Sequence, residues 1–158
     1  MDEDDDKQAL WHFALRSWQR PGVETLALTL QERWHLPVCL LLTAFWLASR
    51  GLRPDQALAG KLCQCATIWE SQRVQPLRDL RRLAASRPQW SNWKLALQEA
   101  ELEAERLLLD ELQSVIGEFP LAQTDAAVGE AWMLLVAPDM AGCEELAENM
   151  LELGRLLE

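Results

Sequence analysis

Five side chains in one stretch of this sequence could do chemistry together. Arg78, Arg81 and Arg82 come from the basic block at 76–82, and Glu101 and Glu105 from the acidic run at 99–106. A guanidinium presents a planar fork of N–H donors that grips a carboxylate or phosphate through two parallel bonds. Inside a fold, the same arginines and glutamates can neutralise one another and fix the register of the helices that carry them. At about 100° per residue, Glu101 and Glu105 project between the apolar edge of Leu95, Leu102, Leu109 and Ile116 and the edge of Leu97, Leu108 and Val115, while Glu99 and Glu103 project away. On the basic segment, Leu77, Leu80, Leu83 and Ala84 form an apolar stripe, with Arg81 beside it and Arg78 and Arg82 further round.

Two inward carboxylates are costly unless paired. The expectation is therefore a structural ion-pair network of Arg81, Glu101, Glu105 and Arg106. Arg78 and Arg82 are expected to stay exposed and, with Arg73, Arg87 and Trp90, to offer a basic surface for a partner. The other reading of the same residues is a polar pocket whose arginines hold a phosphate or carboxylate.

Other chemistry is thinly represented. Glu32-x-x-His35 has the spacing of half a helical di-metal site, but the second half is missing: His12, the other histidine, has Ala9 three residues before it. Cys63-x-Cys65 lacks the second pair that a zinc site needs. No Gly-rich phosphate loop and no Gly-x-Ser-x-Gly elbow is present. No catalytic residue, metal or cofactor is expected.

These side chains need helices to position them. Apolar spacing predicts helices over 9–19, 22–34, 38–50 and from about 55 to Pro76, the third of them apolar all round and central. Pro76 is expected to kink or end the fourth, a basic helix to run to about Ser86, and Ser91 to cap a long helix over 92–116 that packs across the central one. Two acidic helices, near 124–136 and 139–157, complete an all-α single domain of seven or eight helices over 9–158, with a core at 9–117 and acidic C-terminal helices at 118–158. The acidic start, Asp2-Glu3-Asp4-Asp5-Asp6-Lys7, resembles an enterokinase-type cleavage site, and residues 1–8 are expected to be a mobile tail or a tag remnant.

The 158 residues are enough for one domain with its own core. The net charge of -10 is unevenly spread: residues 8–97 carry twelve basic against five acidic side chains, and residues 98–158 two against fifteen. Such asymmetry means either an anionic partner for the basic part or two halves that pack together and cancel. Four cysteines without disulfide spacing, and no leader sequence ahead of them, predict reduced thiols and a cytoplasmic protein. The longest apolar window, Val38 to Ala48, is too short to span a bilayer, so no membrane association is expected.

Trp11-x-Phe13-x-Leu15, Pro21-Gly22-Val23, Leu28-x-Leu30-Gln31, Leu40-Leu41-Leu42 with Trp46-Leu47, Pro76-Leu77-Arg78-x-x-Arg81-Arg82 and Glu101-Leu102-Glu103-Ala104-Glu105-Arg106 together resemble an uncharacterised family of small all-helical proteins of Pseudomonas, Vibrio and other proteobacteria, a domain of unknown function. The likeness covers roughly residues 9–112. That family usually reads Gly-x-Asp-Val-Asn where this chain has His35-Leu36-Pro37-Val38-Cys39. The resemblance implies a cytoplasmic bacterial protein with a shared helical core, in which Trp69, Arg78, Arg81, Arg82, Glu101, Glu105 and Arg106 act as one unit. The function expected is a non-enzymatic interaction or regulatory protein with a protein partner, bound through the arginine helix, the acidic C-terminal face or both. The alternatives are RNA or ribosome binding through the patch from Arg73 to Arg87, and a small-molecule or metal-dependent enzyme built on the Arg/Glu pocket.

Overall fold

The most apolar segment takes the centre. In a computed structural model describing residues 7–158, helix α3 (Val38–Ser49) buries every side chain from Cys39 to Leu47. Thr43, the one hydroxyl in this run, donates to the Cys39 carbonyl one turn back (2.7 Å) and so brings no unsatisfied group into the core. Around it stand α1 (Ala9–Trp18), α2 (Val23–Trp34), α4 (Gln56–Trp69), α5 (Gln75–Ala84), α6 (Ser91–Gly117), α7 (Gly129–Val136) and α8 (Glu144–Leu156). The fold is an all-α single domain. The acidic tail expected at the start falls mostly on residues 1–6, outside those described.

The helix ends follow local chemistry. Left-handed backbone brackets α2, with Gly22 at φ 86° before it and His35 at φ 56° after it. His35 holds a conformation that glycine adopts freely. Asp55 caps α4 by accepting from the Leu58 amide (2.8 Å). Ser91 does not cap α6; it is the first helical residue, led in by a short 3₁₀ turn at Pro88–Trp90.

Three departures from the expected elements have clear causes. The fourth α-helix ends at Trp69, earlier than the expected stop at Pro76, and a π-turn, Glu70–Val74, carries the chain into α5. A wider i→i+5 turn shifts the register at the junction, and Pro76 falls in the first turn of α5, where a missing amide costs little. The helix expected from 124 begins only at Gly129. Residues 122–124 are engaged with the 51–53 loop: Arg53 donates to the Ala122 carbonyl and Thr124 to that of Gly51, both at 2.8 Å, around an isolated Leu52–Gln123 bridge. Finally, the helix expected over 139–157 is split into a 3₁₀ turn at Pro138–Gly142 and α8.

Two apolar clusters make the core. One joins α1, α3, α4 and α6 to α7 through Leu10, Leu47, Leu62, Leu108, Leu112 and Trp132. The other joins α2 and α3 to α7 and α8 through Val23, Leu30, Leu41, Met133, Met150 and Leu153. The acidic C-terminal helices therefore belong to the core. Trp132 is fully buried, and its indole N–H donates to the Leu52 carbonyl (2.8 Å). No described helix is long and apolar enough to cross a membrane.

A candidate binding cleft with an ion-pair floor

Helices α5 and α6 form a hairpin that leans over α1 and α2, leaving a cleft of about 560 Å³ between them. Trp11, Leu15 and Trp18 of α1 and Leu28 of α2 form one wall, Leu102 of α6 stands opposite, and Val38, Cys39 and Leu42 of α3 lie in the lining with Arg78, Arg81, Arg82, Glu101 and Glu105. A volume of this size is within the usual range for ligand pockets, roughly 300–1,000 Å³.

The arginine helix is oriented by charge. Arg78 is buried, and its Nε donates to Glu101 Oε1 (3.2 Å) while its Nη1 donates to Glu70 Oε1 (2.7 Å) and Gln75 Oε1 (2.9 Å). Arg81 reaches the same Glu101 from the next turn, Nε to Oε2 at 2.5 Å. Glu101 therefore accepts from two guanidiniums and is itself buried. This reverses one expectation: Arg78, placed on an exposed face by the leucine stripe, is the most buried of the three arginines. The stripe is only partly the buried face, for Ala84 is buried but Leu80 and Leu83 are exposed. The physical reason lies in the carboxylates, since Glu70 and Glu101 hold Arg78 and Arg81 inward on α5, and the π-turn carries Glu70. It brings Glu70 into reach of Arg78, and π-turns recur at functional sites.

The remaining candidates sit elsewhere. Arg82 is exposed on the cleft rim, 3.9 Å from Glu32 of α2. Arg106, expected in the central network, pairs instead along its own helix with Glu103 and Asp110. Arg73 lies over the Trp69 ring (4.3 Å) and Arg87 over Trp90 (4.9 Å), with Trp90 edge-on to Trp93. Arg73 and Arg87 are not among the residues that line the cleft. Leucine spacing alone did not mark Glu70 and Gln75 as members of the cluster. Their place eight and three residues before Arg78 on a continuous helical path was the usable signal.

Glu105 differs from its neighbours. It lies 4.0 Å from Arg78 Nη2 while Glu101 and Glu70 take the short bonds. Burial, with the Glu101 charge adding to it, pushes its carboxyl up to about 7, and the Arg78 guanidinium only partly opposes this. The folded protein thus holds this proton more tightly than the unfolded chain, so the associated stability is full at low pH and is lost as pH rises through about 7. Glu105→Gln is expected to flatten that slope and, allowing for partial exposure, to add about 1–2 kcal/mol at about pH 8. Urea unfolding across pH 5–8 checks this; an unchanged slope would assign the pH dependence to another group. Burial likewise raises the Cys39 thiol in the floor, so it is no ready nucleophile. Among the described residues no group of three or more His, Cys, Asp or Glu side chains is placed to hold a metal ion.

Searches of curated proteins and of solved structures return no match to this chain. A family model, described as a protein of unknown function (DUF2390), matches residues 9–112, which carry α1 to α5, most of α6, and every residue of the cleft and its cluster. The chain belongs to this DUF2390 family.

Proposed function

We propose that this is a non-enzymatic interaction protein of the bacterial cytoplasm, and that it holds a segment of a protein partner in the cleft walled by the arginine helix. The observation carrying this reading is the convergence of three exposed leucines from three helices, Leu15, Leu28 and Leu102, on one cleft. Exposed apolar side chains gathered in a concave site are the usual anchors of a helix-in-groove contact. The proteobacterial resemblance and the four free cysteines support the cytoplasmic setting. The RNA alternative draws less support, because Arg78 and Arg81 spend their donors on Glu70, Gln75 and Glu101, leaving few for phosphate.

The test is capture from bacterial extract at low salt, with and without nuclease, using the natural chain and the double variant Leu28→Ser with Leu102→Ser. Both leucines are exposed, so the variant should stay folded by circular dichroism. A protein partner that survives nuclease and is lost by the variant is the expected result. A partner retained equally by the variant, or material released by nuclease with a high 260/280 nm ratio, would overturn the reading, the latter in favour of RNA.

A further inference from the structure

With all its carboxylates ionised, the cluster at the floor of the cleft is one positive charge short. Two guanidiniums, Arg78 and Arg81, face three carboxylates, Glu70, Glu101 and Glu105. The rim does not correct this, since Arg82 is matched by Glu32, and Glu24 adds a further carboxylate to the lining. Glu105 is the carboxylate left without a short bond. Its side chain is 35% exposed, and it lines the cleft beside the apolar wall.

Resting on the binding-cleft reading above, we propose that the group received here is an ammonium or guanidinium carried on an apolar body, its charge against Glu105 and its body against Trp11, Trp18 and Leu28. An anion is disfavoured because it would meet Glu24, Glu32, Glu101 and Glu105 wherever it approached an arginine. A neutral apolar group would leave the Glu105 carboxylate without a counter-charge. On a protein partner the group is a lysine or arginine side chain flanked by apolar anchors.

The groups facing Glu105 set how binding depends on pH. These are Cys39 of α3, Glu70 of the π-turn, Arg78 and Arg81 of α5, and Glu101 of α6, with Glu24 and Glu32 on the α2 rim. Near neutrality the Glu105 carboxyl, raised to about 7, is partly protonated. An arriving cation displaces that proton to solvent as the carboxylate forms. Binding therefore tightens as pH rises through this range and releases up to one proton.

Three probes with one indole body and different charges test this: tryptamine, tryptophol and indole-3-acetate, titrated calorimetrically into the full chain at several pH values and in two buffers. The expected result is binding of tryptamine about ten-fold or more tighter than of the other two, tightening between pH 6 and 8, with proton release. Glu105→Gln should erase the preference while leaving tryptophol binding unchanged. Equal binding of tryptamine and tryptophol, a preference that persists in Glu105→Gln, or no tryptamine binding at millimolar concentration would overturn the inference.

Micromolar affinity for the bare amine would assign a small-molecule source. Millimolar affinity, with loss of the captured partner in Glu105→Gln, would assign a partner's side chain. If the leucine variant loses the partner but Glu105→Gln does not, the cleft stands and only the cation inference falls.

Discussion

Arg78→Ala is expected to lower the free energy of unfolding by about 3–5 kcal/mol, the usual cost of removing one partner from a buried charge network. Arg78 is 6% exposed and ties three side chains from three elements, Glu70 of the π-turn, Gln75 of α5 and Glu101 of α6, to one guanidinium. Without it, Glu101 keeps Arg81 but Glu70 loses its partner, and three carboxylates face a single arginine. Arg78→Lys should recover only part of the loss, because an ammonium lacks the planar fork that meets these partners at once. Arg81→Ala should cost less, since Arg81 is partly exposed and gives its Nε and Nη2 bonds to Glu101 alone. Urea unfolding of the three variants checks the order. A loss for Arg78→Ala no larger than for an exposed arginine would contradict the network.

Deleting residues 118–158 is expected to abolish cooperative folding. The deleted part contributes Trp132, Met133, Val136, Leu146, Met150 and Leu153 to the core, all nearly or fully buried. Burying each such side chain is worth about 1.5–3 kcal/mol, and together they are worth as much as the whole net stability typical of a domain, roughly 5–15 kcal/mol. Deletion also uncovers Leu41, Phe45 and Leu47 of α3 and strands the Arg20 bonds to the Leu156 and Glu158 carbonyls. The measurement is a thermal scan with near-ultraviolet circular dichroism, where the tryptophan signal of packed rings should vanish. A sharp transition retained by the shortened chain would show that residues up to 117 fold alone.

Much of the fold was legible because helical periodicity, proline and glycine speak for themselves in an apolar chain. The central helix, the long helix and its inward Glu101 and Glu105 were all readable. Which arginine lies inside was not. A leucine stripe normally marks the buried face, but on α5 Leu80 and Leu83 face out, because pairing with Glu70 and Glu101 turns Arg78 and Arg81 inward. Ion pairing across helices has no signature in hydrophobic spacing. The late start of α7 was hidden for a related reason: residues 122–124 spend their backbone groups on the loop after α3, a long-range pairing that local propensity cannot report. The cleft itself needed tertiary structure, since Leu15, Leu28 and Leu102 meet only when three helices are assembled.

The central claim is that a partner sits in the cleft, and site-specific photo-crosslinking tests it most directly. A photoreactive amino acid placed at position 28 or 102 should cross-link the captured partner. The same group at position 151, exposed on the acidic α8, should not. Cross-links from 151 with none from 28 or 102 would contradict the account and move recognition to the C-terminal face.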